Sequence, residues 1–130
     1  MSADRRKRVL LVDDDADFVA VNRTVLESNG FDVCTAFNGE ECRQRLQSER
    51  PDLIVLDIMM ASPGDGMFTA QDLKRDDATK SIPIIVVSSV NEEPAYNLGR
   101  DDAWLPVEAF LEKPVTPQRL LDEVKLRMSA

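Results

Sequence analysis

The 130-residue sequence contains no histidine, only two cysteines, 5% aromatic residues and no long hydrophobic run. The lack of histidine excludes Ser-His-Asp and Cys-His catalysis, a phosphohistidine intermediate in this chain and imidazole metal sites. Cys34 and Cys42 are too few for a disulfide framework or a four-thiolate zinc site, and we expect buried thiols in a reducing compartment. Carboxylate, hydroxyl and lysine chemistry remains.

Composition indicates one globular domain. The 43% of hydrophobic residues are enough for a core, and 16 Lys+Arg against 24 Asp+Glu give a net charge of −8. An acidic surface repels phosphate backbones and anionic lipids, so we expect neither nucleic acid nor membrane as a partner. The apolar run at 9–12 is too short for a signal peptide or membrane span. We therefore expect a cytoplasmic single domain over residues 1–130, with a flexible tail at 1–7 and no output domain.

Short apolar runs alternate with amphipathic segments along the chain. Continuous runs rich in Val and Ile are typical of parallel strands buried on both faces. They lie at 9–12, 53–56, 84–87 and 110–111, with a mixed edge strand at 31–37. Helices are predicted at 16–29, 40–50, 67–77 and from Pro117, whereas 91–108 contains Pro94, Gly99 and Pro106 and favours irregular structure. This alternation predicts an open, doubly wound α/β sheet with helices on both faces.

The first predicted helix has clear start and stop signals. Asp15 is favoured as its N-cap over a role as a metal ligand, and Gly30 stands at the stop position. Four apolar residues recur at helical spacing and are expected to face the core: Phe18, Val21, Val25 and Leu26. In the last helix, capped by Thr116, the residues expected to face inward are Leu120, Leu121, Val124 and Met128.

Polar residues follow each apolar run. They are Asp13-Asp14-Asp15, Asp57, Ser88-Ser89 and Glu112-Lys113. The carboxyl ends of parallel strands meet at one edge of the sheet, where such folds bind ligands, so these side chains are expected to converge. Clustered carboxylates need a cation, and oxygen-only ligands select a hard ion such as Mg²⁺. Lys113 would then hold a phosphoryl group from the other side, and a carboxylate there is a competent phosphoryl acceptor.

Each of these residues has an ordinary interpretation when taken alone. Asp57 could be a turn acid, Ser88 a strand-end hydroxyl and Phe110 a core residue. Their joint placement at successive strand ends favours a functional site over these separate structural interpretations.

Four stretches carry a family resemblance: 9–15 (VLLVDDD), 51–60 (PDLIVLDIMM), 82–89 (IPIIVVSS) and 110–114 (FLEKP). In this order they resemble the CheY-like receiver domain of bacterial two-component response regulators, over essentially the whole chain. The resemblance implies a flavodoxin-like, five-stranded parallel sheet in the order 2-1-3-4-5. It also implies a stand-alone signalling module that is not an enzyme, apart from assisting its own phosphotransfer and dephosphorylation.

The resemblance implies specific roles for residues at the strand ends. Asp57 would accept the phosphoryl group, and Mg²⁺, with Mn²⁺ as an alternative, would bind Asp13, Asp14, Asp57 and the Met59 main-chain carbonyl. The phosphoryl-binding and switch residues would be Ser88, Ser89, Lys113 and Phe110. Pro114 would follow a cis peptide bond.

The resemblance also implies partners. A sensor histidine kinase or a phosphotransfer protein would supply the phosphoryl group, an unidentified protein would be the downstream target, and the chain would be a monomer or a weak dimer. A phosphorylation-independent scaffold and an aspartyl-nucleophile phosphohydrolase remain alternatives. Against the hydrolase, Met59 occupies the position where such enzymes usually carry a second acid. A flavodoxin-like nucleotide binder would need a loop rich in Gly, Ser or Thr where Asp13-Asp14-Asp15 stands.

Two segments depart from the family pattern. The usual proline four residues after the acceptor is displaced to Pro63, so the loop at 58–66 is one residue longer. The stretch from Ser88 to Lys113 is also longer and lacks the usual Gly-Ala pair. This segment covers the fourth helix of the family fold, part of the surface by which many receivers dimerise or meet their targets.

Met59 and Val90 should lengthen the lifetime of the phosphorylated state. The resemblance implies that the residues two beyond the acceptor and two beyond the switch serine flank the approach of an attacking water, and neither Met59 nor Val90 can orient that water by hydrogen bonding. A Met59→Asn, Val90→Glu double variant should therefore lose label faster than the wild type in a dephosphorylation time course. Equal rates would show that these two side chains do not shield the phosphoryl group.

Overall fold

The computed structural model describes residues 6–57, 65–89 and 108–128, and within them the chain alternates between strands and helices. The strands are β1 (Arg8–Val12), β2 (Asp32–Ala36), β3 (Leu53–Asp57), β4 (Ile84–Ser89) and β5 (Ala109–Lys113). The helices are α1 (Ala16–Ser28), α2 (Gly39–Ser48), α3 (Asp65–Arg75) and α4 (Pro117–Met128). The predicted elements are all present, with ends shifted by at most two residues.

The strands form one parallel sheet in the order β2-β1-β3-β4-β5. The predicted fold class and strand order are thus confirmed, including the position of β2 at an edge. The chain joins this sheet before β1 begins, because the Lys7 carbonyl accepts a hydrogen bond from the amide of Asp32. The flexible tail expected over 1–7 stays a prediction, since residues 1–5 lie outside the described residues.

Alternate residues of each central strand enter two separate cores. Leu10, Val12, Ile54 and Leu56 pack beneath α2 and α3, together with Cys42 and Leu73. The opposite face packs beneath α1 and α4 through the residues Val9, Leu11, Leu53, Val55, Leu26, Leu120, Leu121 and Val124. Because both faces are covered by helices, the central strands need apolar residues at every position, and this explains the continuous runs in the sequence.

Helix α1 begins and ends as its signals predict. The Asp15 carboxylate accepts hydrogen bonds from the amides of Asp17 and Phe18, at 3.0 and 3.2 Å, which satisfies two donors that the first turn leaves open. Gly30 follows the helix with a φ of 94°, a left-handed conformation that glycine adopts without steric cost.

One inward-facing prediction for α1 is wrong. Val21 is 50% exposed, whereas Asn22 is buried beside Val19 and Leu26. Burial of Asn22 is tolerated because its side-chain amide donates a 2.8 Å hydrogen bond to the Phe18 carbonyl one turn earlier. Helical spacing alone does not decide whether residue 21 or residue 22 faces the core. Hydrophobicity favours Val21, but Val21 is the exposed one. The inward residues predicted for α4 are confirmed, with Met128 partly buried.

The two cysteines are free thiols, as the sequence predicts. Cys42 is buried in the core beneath α2, and Cys34 is half-buried on β2. Burial raises the pKa of the Cys42 thiol to about 12 and that of Cys34 to about 11. Both thiols are therefore protonated at neutral pH, which makes them weak nucleophiles.

Glu123 should stabilise α4 in a pH-dependent way. Its side chain is 6% exposed and lies between Arg119 at 2.8 Å and Arg127 at 2.7 Å. The hydrogen bond from Arg119 and the nearby positive charges lower the pKa of Glu123 below its usual value of 4.5, against the opposing effect of burial. We expect Glu123→Gln to lower the free energy of unfolding at pH 7 by about 1–2 kcal/mol in urea denaturation.

That stabilisation should be complete above pH 4.5 and disappear as the pH falls through the lowered pKa of the folded state. The neighbouring carboxylate of Asp122 is exposed, so Asp122→Asn is the matched control and should change stability by less than about 0.5 kcal/mol. A constant difference between wild type and Glu123→Gln from pH 7 to pH 3 would contradict this assignment.

Candidate functional site

The candidate site lies at the carboxyl edge of the sheet. Asp13 directly follows β1, Asp57 ends β3 and Lys113 ends β5. Since β1 and β3 are neighbours, the two aspartates are brought close together by strand pairing. Lys113 is two strands away from Asp57, and its long side chain brings Nζ within 3.5 Å of the Asp57 carboxylate.

Lys113 forms the electrostatic centre of the site. Its Nζ lies 3.0 Å from Asp13 Oδ2 and 3.5 Å from Asp57 Oδ2. The two aspartate side chains are 2% and 5% exposed, against 23% for the lysine side chain. Burial of the ammonium works against its charge, but attraction by Asp57 and the hydrogen bond to Asp13 outweigh it, so the pKa of Lys113 is raised.

Asp13, Asp14 and Asp57 form an acidic cluster that could hold a metal ion. One carboxylate oxygen from each residue lies within 4.8 Å of the other two. Asp13 and Asp57 are buried, whereas Asp14 is exposed and closes the cluster on the solvent side. All three donors are carboxylates, which favours a hard cation.

The second oxygen of Asp13 is engaged in the local backbone. Its Oδ1 accepts a 2.9 Å hydrogen bond from the amide of Asp15, while the Asp13 amide donates to the Ala36 carbonyl at 3.0 Å and extends the β1–β2 ladder. Asp13 is therefore held on both its main chain and its side chain. This arrangement fixes its remaining oxygen toward Lys113.

Phe18 is part of this site, which the sequence analysis did not predict. Its ring lies below the Lys113 ammonium, with 4.5 Å between Nζ and the ring centroid. Helical spacing indicated only a core position for Phe18, and the residue does also pack against the core beneath α1. A signal was nevertheless present: Phe18 stands three residues after the N-cap, in the turn of α1 nearest the strand ends.

The remaining predicted residues divide into two groups. The main chains of Ser88 and Ser89 end β4 and pair with Glu112 and Lys113, so they reach the same edge. Phe110 pairs with Val86 within the sheet, but the side chains of Ser88, Ser89 and Phe110 lie outside the described residues. Met59 and Val90 lie wholly outside them. The Lys113–Pro114 peptide bond is cis, as the resemblance implies.

A five-stranded sheet in this order, covered by helices on both faces, defines the class of CheY-like α/β domains. The family model "Response regulator receiver domain" matches residues 9–125, and the chain belongs to that family.

Two relatives illustrate the sequence similarity. The alkaline phosphatase synthesis transcriptional regulatory protein PhoP of Bacillus subtilis is 34% identical over 119 residues, covering 92% of this chain and 47% of that protein. The phosphate regulon transcriptional regulatory protein PhoB of Escherichia coli K12 is 31% identical over 126 residues, covering 94% and 52%. The chain thus spans about half the length of the curated relatives it matches.

Solved structures agree with this assignment. The signal receiver domain of a signal transduction histidine kinase from Syntrophus aciditrophicus superposes with a TM-score of 0.83 at 26% identity, covering 95% of this chain and 90% of that one. A CheY-like receiver domain protein from Methanospirillum hungatei gives 0.82 at 22% identity, covering 96% and 95%, and supports the fold alone. Among the described residues, no helix is long and apolar enough to span a membrane.

Removal of the Lys113 charge should destabilise the domain. Lys113→Met leaves two buried carboxylates without their cation, and we expect the free energy of unfolding at pH 7 to fall by about 1–3 kcal/mol. Because the pKa of Lys113 is raised above the usual 10.5, its stabilisation is fully present at pH 7 and is lost only as the pH rises through that raised value. Urea denaturation measures the effect.

The matched control for this variant is Lys80→Met. Lys80 pairs with Asp77 at 2.9 Å, but its side chain is mostly exposed, so this variant should cost no more than about 0.5 kcal/mol. Added Mg²⁺ should stabilise both variants, because both keep the acidic cluster, and it should stabilise Lys113→Met more, because there it also replaces the lost positive charge. Equal stability of the two variants would rule out a charge-balancing role for Lys113.

Proposed function

We propose that this chain is a phosphorylation-switched signalling module whose Asp57 accepts a phosphoryl group from a partner histidine kinase or phosphotransfer protein. The observation that carries the proposal is the position of the Lys113 ammonium, held by two buried carboxylates, Asp13 and Asp57, at one edge of the sheet. Membership of the receiver family supports it. These 130 residues contain no histidine, so they cannot themselves supply a phosphohistidine as the donor.

The chemical step is a phosphoryl transfer to a carboxylate. An oxygen of Asp57 forms a bond to phosphorus while the bond between phosphorus and the donor breaks. The bonding electron pair leaves with the donor, which is either an imidazole nitrogen of a phosphohistidine or the carboxylate of acetyl phosphate. Lys113 provides positive charge beside Asp57, where the phosphoryl oxygens would carry negative charge.

The acidic cluster fits a divalent cation. Its three carboxylates are hard oxygen donors, and Asp14 faces solvent, which suits an ion that retains several waters. Asp13, Asp14 and Asp57 would hold Mg²⁺ or Mn²⁺, and the Met59 main-chain carbonyl is the further ligand that the family pattern supplies. Such an ion would offset the negative charge that the phosphoryl group adds to a site already rich in carboxylates.

Phosphorylation would act through the end of β4 and through β5. Ser88 is proposed to hydrogen-bond the phosphoryl group, with Ser89 beside it, and Phe110 to change its packing in response. Their main chains pair in the same part of the sheet as Lys113. The phosphorylated state would thereby bias a surface between two arrangements that a downstream protein distinguishes.

We further propose that the chain works as a cytoplasmic monomer or weak dimer. It would assist the phosphorylation and dephosphorylation of its own Asp57 and would not catalyse a reaction of another molecule.

Asp57→Asn should abolish phosphorylation, because the amide keeps the shape of the side chain but cannot act as the nucleophile. Incubation with acetyl phosphate and Mg²⁺, followed by intact-mass measurement, should show one phosphoryl adduct on the wild type and none on the variant. Asp32→Asn makes the same change at the opposite end of the sheet and should be labelled like the wild type.

Two results would contradict the proposal. Stoichiometric labelling of Asp57→Asn would place the acceptor elsewhere, with Asp13 and Asp14 as the first candidates. A wild-type protein that takes no label under these conditions would favour the phosphorylation-independent scaffold.

A further inference from the structure

Phe18 lies where an aromatic ring can control the position of the Lys113 side chain. The lysine Nζ stands 4.5 Å from the ring centroid, at a distance typical of a cation–π contact. On its other sides the same Nζ faces Asp13 at 3.0 Å and Asp57 at 3.5 Å. The ammonium therefore sits between one aromatic face and two carboxylates.

The main chain of Phe18, which carries the ring, is held by a chain of hydrogen bonds that starts at the acidic cluster. Asp13 Oδ1 accepts from the Asp15 amide at 2.9 Å, and Asp15 Oδ1 accepts from the Phe18 amide at 3.2 Å. The Phe18 carbonyl in turn accepts a 2.8 Å hydrogen bond from the buried side chain of Asn22. Side chains therefore hold both the amide and the carbonyl of Phe18. This chain of hydrogen bonds ends at Asp13, the same aspartate that binds Lys113.

A lysine needs such a contact more than most cations do. Its ammonium is a point charge on a flexible stem of four methylene groups, with no planar fork to orient it. The negative face of the Phe18 ring attracts the ammonium and also occupies the space on that side. The positions that remain for Nζ are those that face Asp13 and Asp57.

We propose that Phe18 is a positioning residue for phosphoryl transfer, in that its ring holds the Lys113 ammonium toward Asp57 and the incoming phosphoryl group. This role rests on the transfer to Asp57 proposed above. Phe18 touches neither the acceptor nor the donor in this scheme, and it acts only through Lys113. Loss of the ring lets the ammonium occupy other positions, so fewer molecules have it beside Asp57 when the donor arrives.

The decisive variant is Phe18→Leu, which keeps an apolar side chain that packs against the core but removes the aromatic face. We expect its maximal rate of phosphorylation by acetyl phosphate to fall by about three- to tenfold, from the strength of a partly buried cation–π contact. The donor concentration at half-maximal rate should change little. Phe18→Tyr keeps the ring and should stay within about twofold of the wild type.

The matched control is Phe31→Leu. Phe31 packs against the same core beneath α1 but precedes β2, at the opposite end and opposite edge of the sheet from Lys113. This variant loses the same atoms from the same core, so it reports the effect of weakened packing alone. Its thermal stability should fall, while its phosphorylation rate below the unfolding transition should remain that of the wild type.

A second measurement tests the contact directly. The ε-methylene protons of Lys113 should be shifted upfield by the ring in NMR spectra of the wild type and Phe18→Tyr. That shift should be absent in Phe18→Leu and retained in Phe31→Leu.

The outcomes separate this inference from the proposed function. A wild type that takes no label overturns both. A labelled wild type overturns the role of Phe18 alone if Phe18→Leu reacts at the wild-type rate, if Phe31→Leu is slowed equally, or if Phe18→Tyr is as slow as Phe18→Leu. Slowing of Phe18→Leu alone, together with loss of the upfield shift, supports it.

Discussion

Two buried carboxylates stand at adjacent strand ends, and one lysine from a third strand balances them. Asp13 and Asp57 would repel each other in an environment that excludes most water, and the Lys113 ammonium, 3.0 and 3.5 Å away, makes this arrangement tolerable. The lysine meets both aspartates because the parallel sheet brings the carboxyl ends of β1, β3 and β5 to the same edge. The charge balance and the sheet topology therefore depend on each other.

The start of α1 shows how closely the site is tied to ordinary helix capping. Asp15 caps the helix, but its own amide is held by Asp13, and its carboxylate holds the amide of Phe18. A feature that stabilises the first turn thus also places an aromatic ring against the lysine of the site. A change in any of these residues is expected to affect both helix stability and the position of the ammonium.

The opposite end of the sheet, where the strands begin, uses its charged residues differently. There the Lys74 ammonium donates to the Ile82 carbonyl at 3.0 Å and to the Glu108 carboxylate at 3.1 Å, while the amide of Ile84 donates to the same carboxylate at 2.7 Å. The Asp52 carboxylate similarly accepts from the Arg8 amide at the start of β1. These charged side chains form hydrogen bonds with main-chain amides and carbonyls at the points where strands begin. The acids at the carboxyl edge instead converge on one another and on Lys113, in a cluster that could hold a metal ion.

The sequence by itself determined the doubly wound sheet, the helices on both faces and the convergence of Asp13, Asp57 and Lys113. Continuous apolar runs occur because central strands are covered on both faces, and parallel strands necessarily bring their carboxyl ends to one edge. Only the tertiary structure decided that Asn22 rather than Val21 faces the core and that Phe18 contacts Lys113. The spacing of residues along a helix leaves adjacent positions such as 21 and 22 nearly equivalent. The contact between Phe18 and Lys113 joins segments about 95 residues apart in the sequence, and no local pattern encodes such a distance through space.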